Sequence, residues 1–190
     1  MKVLGIAGSP RRGGNTDLLL AEVLAGAASR GAEVKTIVLN ELSFIPCQHC
    51  DACFETGECK YQDDMQLVYR ELAAADRIVL ASPLHFMGLT AQTKAMIDRC
   101  QALWARKYIL GLPPLGDWRK RKGFFVSVGG REGANLFQPA LATVKAFFAV
   151  LDVSYAGELV FPGIDAKGAI IQNPGALKQA FIAGQKLAED

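Results

Sequence analysis

A fully apolar pentapeptide, Val3–Ala7, runs straight into Gly8-Ser9-Pro10-Arg11-Arg12-Gly13-Gly14-Asn15-Thr16 and then into a helical pattern. No other stretch constrains the fold as much. A strand without apolar–polar alternation is buried on both faces, so its sheet must be covered on both sides. A Gly-rich turn between such a strand and a helix is also an anion site. The first amides of the helix lack intrahelical partners, and the helix dipole adds partial positive charge there. Ser9, Asn15 and Thr16 add side-chain donors, and Arg11 and Arg12 add charge. Gly8, Gly13 and Gly14 let the backbone curl closely around a ligand. The segment reads as a phosphate cradle. No Lys-Ser or Lys-Thr follows Gly13 or Gly14, as a nucleoside-triphosphate loop requires, and Ser9-Pro10 breaks the dinucleotide spacing GxGxxG. A single phosphomonoester fits better.

The rest of the chain alternates in the same way. Helical patterns cover Thr16–Arg30, Gln66–Ala74, Thr90–Tyr108, Asn135–Leu151 and Pro174–Glu189. Leu19, Val23 and Ala27 stack at i+4 spacing in the first. Strands are expected at Val3–Ala7, Glu33–Leu39, Asp76–Ala81, Gly123–Val128 and Val153–Val160. Five strands alternating with five helices predict an α/β protein with an open parallel sheet covered on both faces. The 190 residues form one expected domain, 1–190, with a cysteine-rich loop at 46–62. Hydrophobic residues make up 51% and charged residues 21%, which supplies a core and excludes disorder. A net charge of +2 is too small to imply a nucleic-acid partner. Neither a signal pattern nor an apolar run of membrane length is seen, so a cytoplasmic location without membrane contact is expected. There the five cysteines are not expected to form structural disulfides.

Open parallel sheets bind ligands outside the carboxyl ends of their strands. Two more turns fall there. Ser82-Pro83-Leu84-His85-Phe86-Met87-Gly88-Leu89-Thr90 offers amides, an apolar wall and one polar aromatic; Ser127-Val128-Gly129-Gly130-Arg131 offers further amides. A flat heteroaromatic ring fits between two such loops, and oriented amides can hold the negative charge that develops on a reduced flavin.

Gly8-Ser9-Pro10-Arg11 with Gly14-Asn15-Thr16, then Ser82-Pro83-Leu84-His85-Phe86 with Thr90–Arg99, resembles the NAD(P)H-dependent FMN reductase family of flavodoxin-like proteins. The likeness covers most of the chain. It implies a three-layer flavodoxin-like sandwich with strand order 2-1-3-4-5. It also implies FMN, with its phosphate on Ser9, Arg11, Asn15 and Thr16. The ring would lie among Pro83, Leu84, His85, Phe86, Gly88, Ser127, Gly129 and Gly130. NAD(P)H would be the electron donor, a flavin or quinone the small acceptor, and the assembly a homodimer or homotetramer. No side chain is expected to act as a catalytic acid or base, because the flavin does the hydride chemistry. The family usually has Tyr where this chain has His85.

Cys47, Cys50, Cys53 and Cys59 follow the spacing C-x2-C-x2-C-x5-C on the loop between the second strand and the second helix. Four thiolates so close together can converge on one cubane iron–sulfur cluster. The last spacer departs from the bacterial ferredoxin run, which has three residues and a following Pro. The loop resembles the compact motif of the iron–sulfur flavoproteins, a branch of the same family. That branch implies a [4Fe–4S] cluster on these four residues and ferredoxin as partner. Zinc on the four thiolates, a Cys47–Cys50 redox pair, and free thiols that only shape the loop remain open. Cys100, alone on an apolar helix, is expected to be core. Arg119-Lys120-Arg121-Lys122 beside Trp118 reads either as a solvated loop or as a grip for a further phosphate or an acidic electron-transfer protein.

Overall fold

The computed structural model describes residues 1–116 and 119–189. Five parallel strands lie in the order β2-β1-β3-β4-β5: β1 (Lys2–Ala7), β2 (Glu33–Val38), β3 (Arg77–Ala81), β4 (Arg121–Val128) and β5 (Val153–Phe161). This is the expected class and strand order. β3 is buried along its whole length and β1 from Val3 onward, as apolar runs between two helical layers must be.

Successive side chains of a strand point to opposite faces, so the same runs feed two cores. Leu4, Ile6, Ile78, Leu80 and Phe125 meet α3 (Met65–Ala74), α4 (Ala91–Arg99) and α6 (Gln138–Val150) on one face. Val3, Ala7, Val79, Ala81 and Val126 meet α1 (Asn15–Ala28) and α7 (Pro174–Glu189) on the other. The helices α1 and α7 touch backbone to backbone. A Cβ on Gly26 would stand 2.0 Å from the Phe181 carbonyl oxygen, and one on Gly184 would stand 1.9 Å from that of Val23.

Several boundaries differ from expectation for local reasons. The helix expected over Asn135–Leu151 starts at Gln138, where Pro139 suits the first turn. The one expected over Thr90–Tyr108 breaks at Cys100 into α4, the short α5 (Gln101–Trp104) and a wide π turn, Ala105–Ile109. A four-residue helix, α2 (Cys53–Thr56), appears inside the cysteine loop and ends on Gly57 in the left-handed region, φ +72°.

The strand β4 begins two residues early and takes the basic stretch into the sheet. Arg121 is buried and donates to the carbonyls of Leu72 and Leu151. Arg119 donates to the Ala73 carbonyl and lies 3.1 Å from Asp76 Oδ1. Both Arg119 and Arg121 therefore fasten the amino end of the sheet, opposite the cradle. A grip on a further phosphate is thus corrected to a structural role. Trp118 lies outside the described residues. No helix among the described residues is long and apolar enough to cross a membrane.

Candidate functional site

The turn after β1 is held in place mainly by its own backbone. Gly8 N–H donates to Ala81 O at 2.7 Å, and Gly8 O accepts from the Thr90 hydroxyl at 2.6 Å. A side chain on Gly8 would collide with Thr93, with its Cβ 2.0 Å from Oγ1. Ser9 Oγ accepts from Arg11 N–H and donates to Arg11 O, both at 3.1 Å, which curls the loop. Gly13 takes φ +65° and donates its N–H to Asp17 Oδ2 at 2.9 Å. Gly14 caps α1 without a side-chain bond, so the Asn15 and Thr16 amides have no partner among the described residues. The Thr16 side chain is 1% exposed, lines the cavity above the turn, and also has no hydrogen-bond partner among the described residues. The hydroxyl oxygen opens onto the cavity, where a ligand can bond it. Burial pushes the Asp17 carboxyl up from its ordinary value, against the Gly13 bond and the charges of Arg12 and Lys167.

The second turn is tied to the first and the third. Thr90 N–H donates to Ser82 Oγ, Leu84 N–H donates to Val128 O at 2.9 Å, and Ser127 Oγ donates to Ser82 O at 2.7 Å. One cavity results. Ser9, Arg11, Asn15 and Thr16 line it at one end, and Pro83, Leu84, His85, Val128 and Gly130 line it at the other.

The structure separates four other expected residues from this cavity. Ser127 is fully buried behind it and spends its hydroxyl on the loop network. Gly129 packs against Leu136 and Leu84, and its N–H goes to Phe161 O. Gly88 pairs with His85 through two 3.0 Å backbone bonds, closing a tight turn. Phe86 and Met87 form its tip at φ +51° and +64°, and Phe86 is fully exposed. Both are in the left-handed region, which is uncommon for bulky residues. Asn15 is in the cavity wall, but its side chain is engaged: Nδ2 donates to Ala166 O at 2.9 Å, and Oδ1 accepts from Ile170 N–H at 3.1 Å.

Residues missed from the sequence complete the wall. Ile164, Asp165 and Lys167 follow β5 and close the side opposite the second turn. The signal was present: Gly163 and Gly168 bracket a short polar turn at a strand's carboxyl end, as in the other three turns.

The cysteine loop forms a separate hollow lined by Cys47, Cys50, Cys53, Cys59, Tyr61, Arg99 and Ala102. All four thiols are free. His49 and Asp51 take left-handed φ of 48° and 56° and wrap the chain around Cys50. Burial, then the neighbouring thiols, pushes the Cys53 thiol up. No three Cys, His, Asp or Glu side chains among the described residues are placed to hold one metal ion. Four thiols around one hollow are the ligand number that a cubane takes.

Arg99, 1% exposed, forms part of the hollow's wall. It bonds both Asp63 oxygens at 2.6 and 3.0 Å and the Ile45 carbonyl at 2.8 Å, and it lies 5.4 Å from the Tyr61 ring centroid. Burial alone would push the Asp63 carboxyl up; the Arg99 bonds, with the Met65 and Ile45 amides, outweigh it and hold it below its ordinary value. Cys100 is core, as expected, and burial pushes its thiol up to about 12.

The family model for NADPH-dependent FMN reductase matches residues 1–161. The chain belongs to that family. Within the FMN reductase family, it is 40% identical over 128 residues to an iron-sulfur flavoprotein of Archaeoglobus fulgidus, covering 67% of this chain and 62% of that one. It is 35% identical over 159 residues to an iron-sulfur flavoprotein of Methanocaldococcus jannaschii, covering 83% and 75%. The match spans less than two thirds of several such relatives: 62% of the Archaeoglobus protein, and 53% and 64% of two others. Among solved structures, a flavone reductase superposes with a TM-score of 0.78 at 24% identity, covering 100% of this chain and 62% of that one. An NAD(P)H:quinone oxidoreductase from Methanothermobacter marburgensis superposes with a TM-score of 0.72 at 17% identity, covering 98% and 96%. These likenesses establish the flavodoxin-like fold.

Proposed function

We propose that the protein is an FMN-dependent oxidoreductase that takes reducing equivalents from NAD(P)H and passes them to a small acceptor such as a flavin or quinone. The observation that carries this reading is the single cavity at the carboxyl edge of the sheet. One end holds unpartnered amides and the Thr16 hydroxyl; the other has walls of Pro83, Leu84 and Val128. A phosphomonoester at the end of a ribityl chain with a flat ring beyond it matches that polarity.

In this reading the Thr16 hydroxyl and the first amides of α1 donate to the phosphate, and the exposed Arg11 supplies charge. Pro83, Leu84 and Val128 exclude water from the ring, while His85 and Gly130 border it. Bound FMN would supply hydride acceptance and electron delivery, and the protein's task is to orient it.

A second reading adds a [4Fe–4S] cluster on Cys47, Cys50, Cys53 and Cys59, with ferredoxin as the electron partner. The four free thiols around one hollow favour it. The similarity to proteins named iron-sulfur flavoproteins agrees with it. Exposed Trp104, Tyr108, Ile109 and Leu112 support assembly into a homo-oligomer.

An absorbance spectrum of protein purified without oxygen, with iron and sulfide assayed on the same sample, tests both readings. The expectation is flavin bands after FMN addition, bleached by NADH or NADPH. A chain that takes up no FMN overturns the first reading. About four irons per chain establish the second, since a cubane carries four; flavin without iron refutes it.

A further inference from the structure

Residues 163–168, after β5, form a strap across the cavity just past the segment that matches the family model. The strap is anchored at both ends. Gly163 N–H donates to Arg131 O at 3.2 Å, and Ile164 N–H donates to Gly129 O at 2.9 Å, which ties it to the third turn. The Asn15 amide ties it to the first turn, through Ala166 O on the strap and Ile170 N–H just beyond. Asn15 is 6% exposed, and both of its polar atoms are committed. Its position in the cradle, which suggested a phosphate ligand, instead holds a distant segment against the cradle.

Between these anchors the strap presents Lys167 to the cavity. Lys167 Cε lies 3.9 Å from where a Cβ on Gly13 would stand, so the side chain overhangs the cradle. Its ammonium has no hydrogen bond or ion pair among the described residues. The charged side chains around the cavity are Arg11, Asp165 and Lys167, with Asp17 in the first turn of α1. Asp165 sits against Gly130, at the end away from the cradle. The cradle end therefore carries Arg11 and Lys167 without a hydrogen-bonded partner, the Thr16 hydroxyl and the free helix amides, beside an Asp17 carboxylate already paired with Arg12 at 3.1 Å. A phosphomonoester dianion balances that set, and a neutral ligand leaves the cations unpaired.

We propose that Lys167 is a ligand of the cofactor's phosphate and that Asn15 is the positioning residue that holds it there. This rests on the FMN reading above. The test compares FMN with riboflavin, which has the same ring and ribityl chain but no phosphate, by flavin-fluorescence titration of the apoprotein. Lys167→Ala should weaken FMN at least about tenfold, leave riboflavin unchanged, and flatten the salt dependence of FMN binding. Lys167→Arg should restore most of the preference for FMN. Asn15→Ala should reduce the FMN-over-riboflavin preference in the parent protein and have little further effect on it in Lys167→Ala, because the two act through one contact.

Equal weakening of both flavins by Lys167→Ala, or no change in FMN, overturns the proposal while the FMN reading stands. An additive loss in the double variant overturns the role of Asn15. If the parent protein binds neither flavin, the FMN reading itself fails, and the proposal fails with it.

Discussion

The cradle after β1 is made chiefly of backbone, whereas the cysteine hollow is made of side chains. In the cradle, glycines at 8, 13 and 14 and the start of α1 set the shape, and the donors are amides plus one hydroxyl. In the hollow, the groups that matter are four thiols and a buried ion pair, Arg99 with Asp63, brought from different elements. The electrostatics run in opposite directions. Burial raises the Asp17 carboxyl in the cradle, while Asp63 at the hollow is held low despite its burial. A backbone site tolerates side-chain change and is broken by added bulk. A side-chain site is broken by a single deletion.

Five perturbations sharpen that contrast. The largest effect is expected from Cys50→Ser: if a cluster is bound, this variant loses its iron entirely and keeps FMN, as iron assay and flavin absorbance on one sample would register. Loss of both groups would mean that the two sites are one structural unit.

Next comes Asp63→Ala. It strands Arg99, which is 1% exposed, and should cost about 3–5 kcal/mol in urea denaturation at neutral pH. A carboxyl held below its ordinary value contributes stability above that value and loses it as pH falls through the lowered one. The gap between parent and Asp63→Ala should therefore close in acid, below the ordinary carboxylate range. Asp17 works the other way. With its carboxyl raised, ionisation costs stability, and protonation relieves that cost as pH falls through the raised value. Asp17→Asn should therefore lack this gain, so that the parent grows more stable relative to the variant as pH falls through the raised value, and a gap that does not change with pH would refute this.

Smaller is Gly8→Ala, about 1–3 kcal/mol, because the added methyl must displace Thr93 and the Ala81 carbonyl. FMN retention should fall with stability here, and a stable variant with normal FMN affinity would show that the turn is pliable. Smallest is Thr16→Ala, about 1.4 kcal/mol or tenfold in FMN affinity, with unfolding nearly unchanged. An FMN affinity equal to the parent's would leave the Thr16 hydroxyl without a ligand.

The same contrast explains what was legible in the sequence. The fold was readable because unbroken apolar runs such as Ile78–Ala81 fit only a two-sided sheet. The cradle was readable because glycine spacing is local. His85 and Leu84 reached the cavity as expected, but Phe86 did not, since a two-residue turn with positive φ throws its ring outward. Arg99 gave no hint of its place beside the cysteines, because 40 residues of chain separate it from Cys59 and only the tertiary fold joins them. The basic stretch misled for the opposite reason. Arg119 and Arg121 look solvated in sequence, yet backbone carbonyls at the amino end of the sheet need donors, and these guanidinium groups supply them.

The contact between α1 and α7 bears on the order in which this molecule is made. The glycine turn and the start of α1 are synthesised well before α7, which meets α1 backbone to backbone. The strap that closes the cavity precedes α7 by only a few residues. A nascent chain therefore carries the glycine turn well before the strap that completes the cavity wall, and the cavity is assembled from the two ends of the fold.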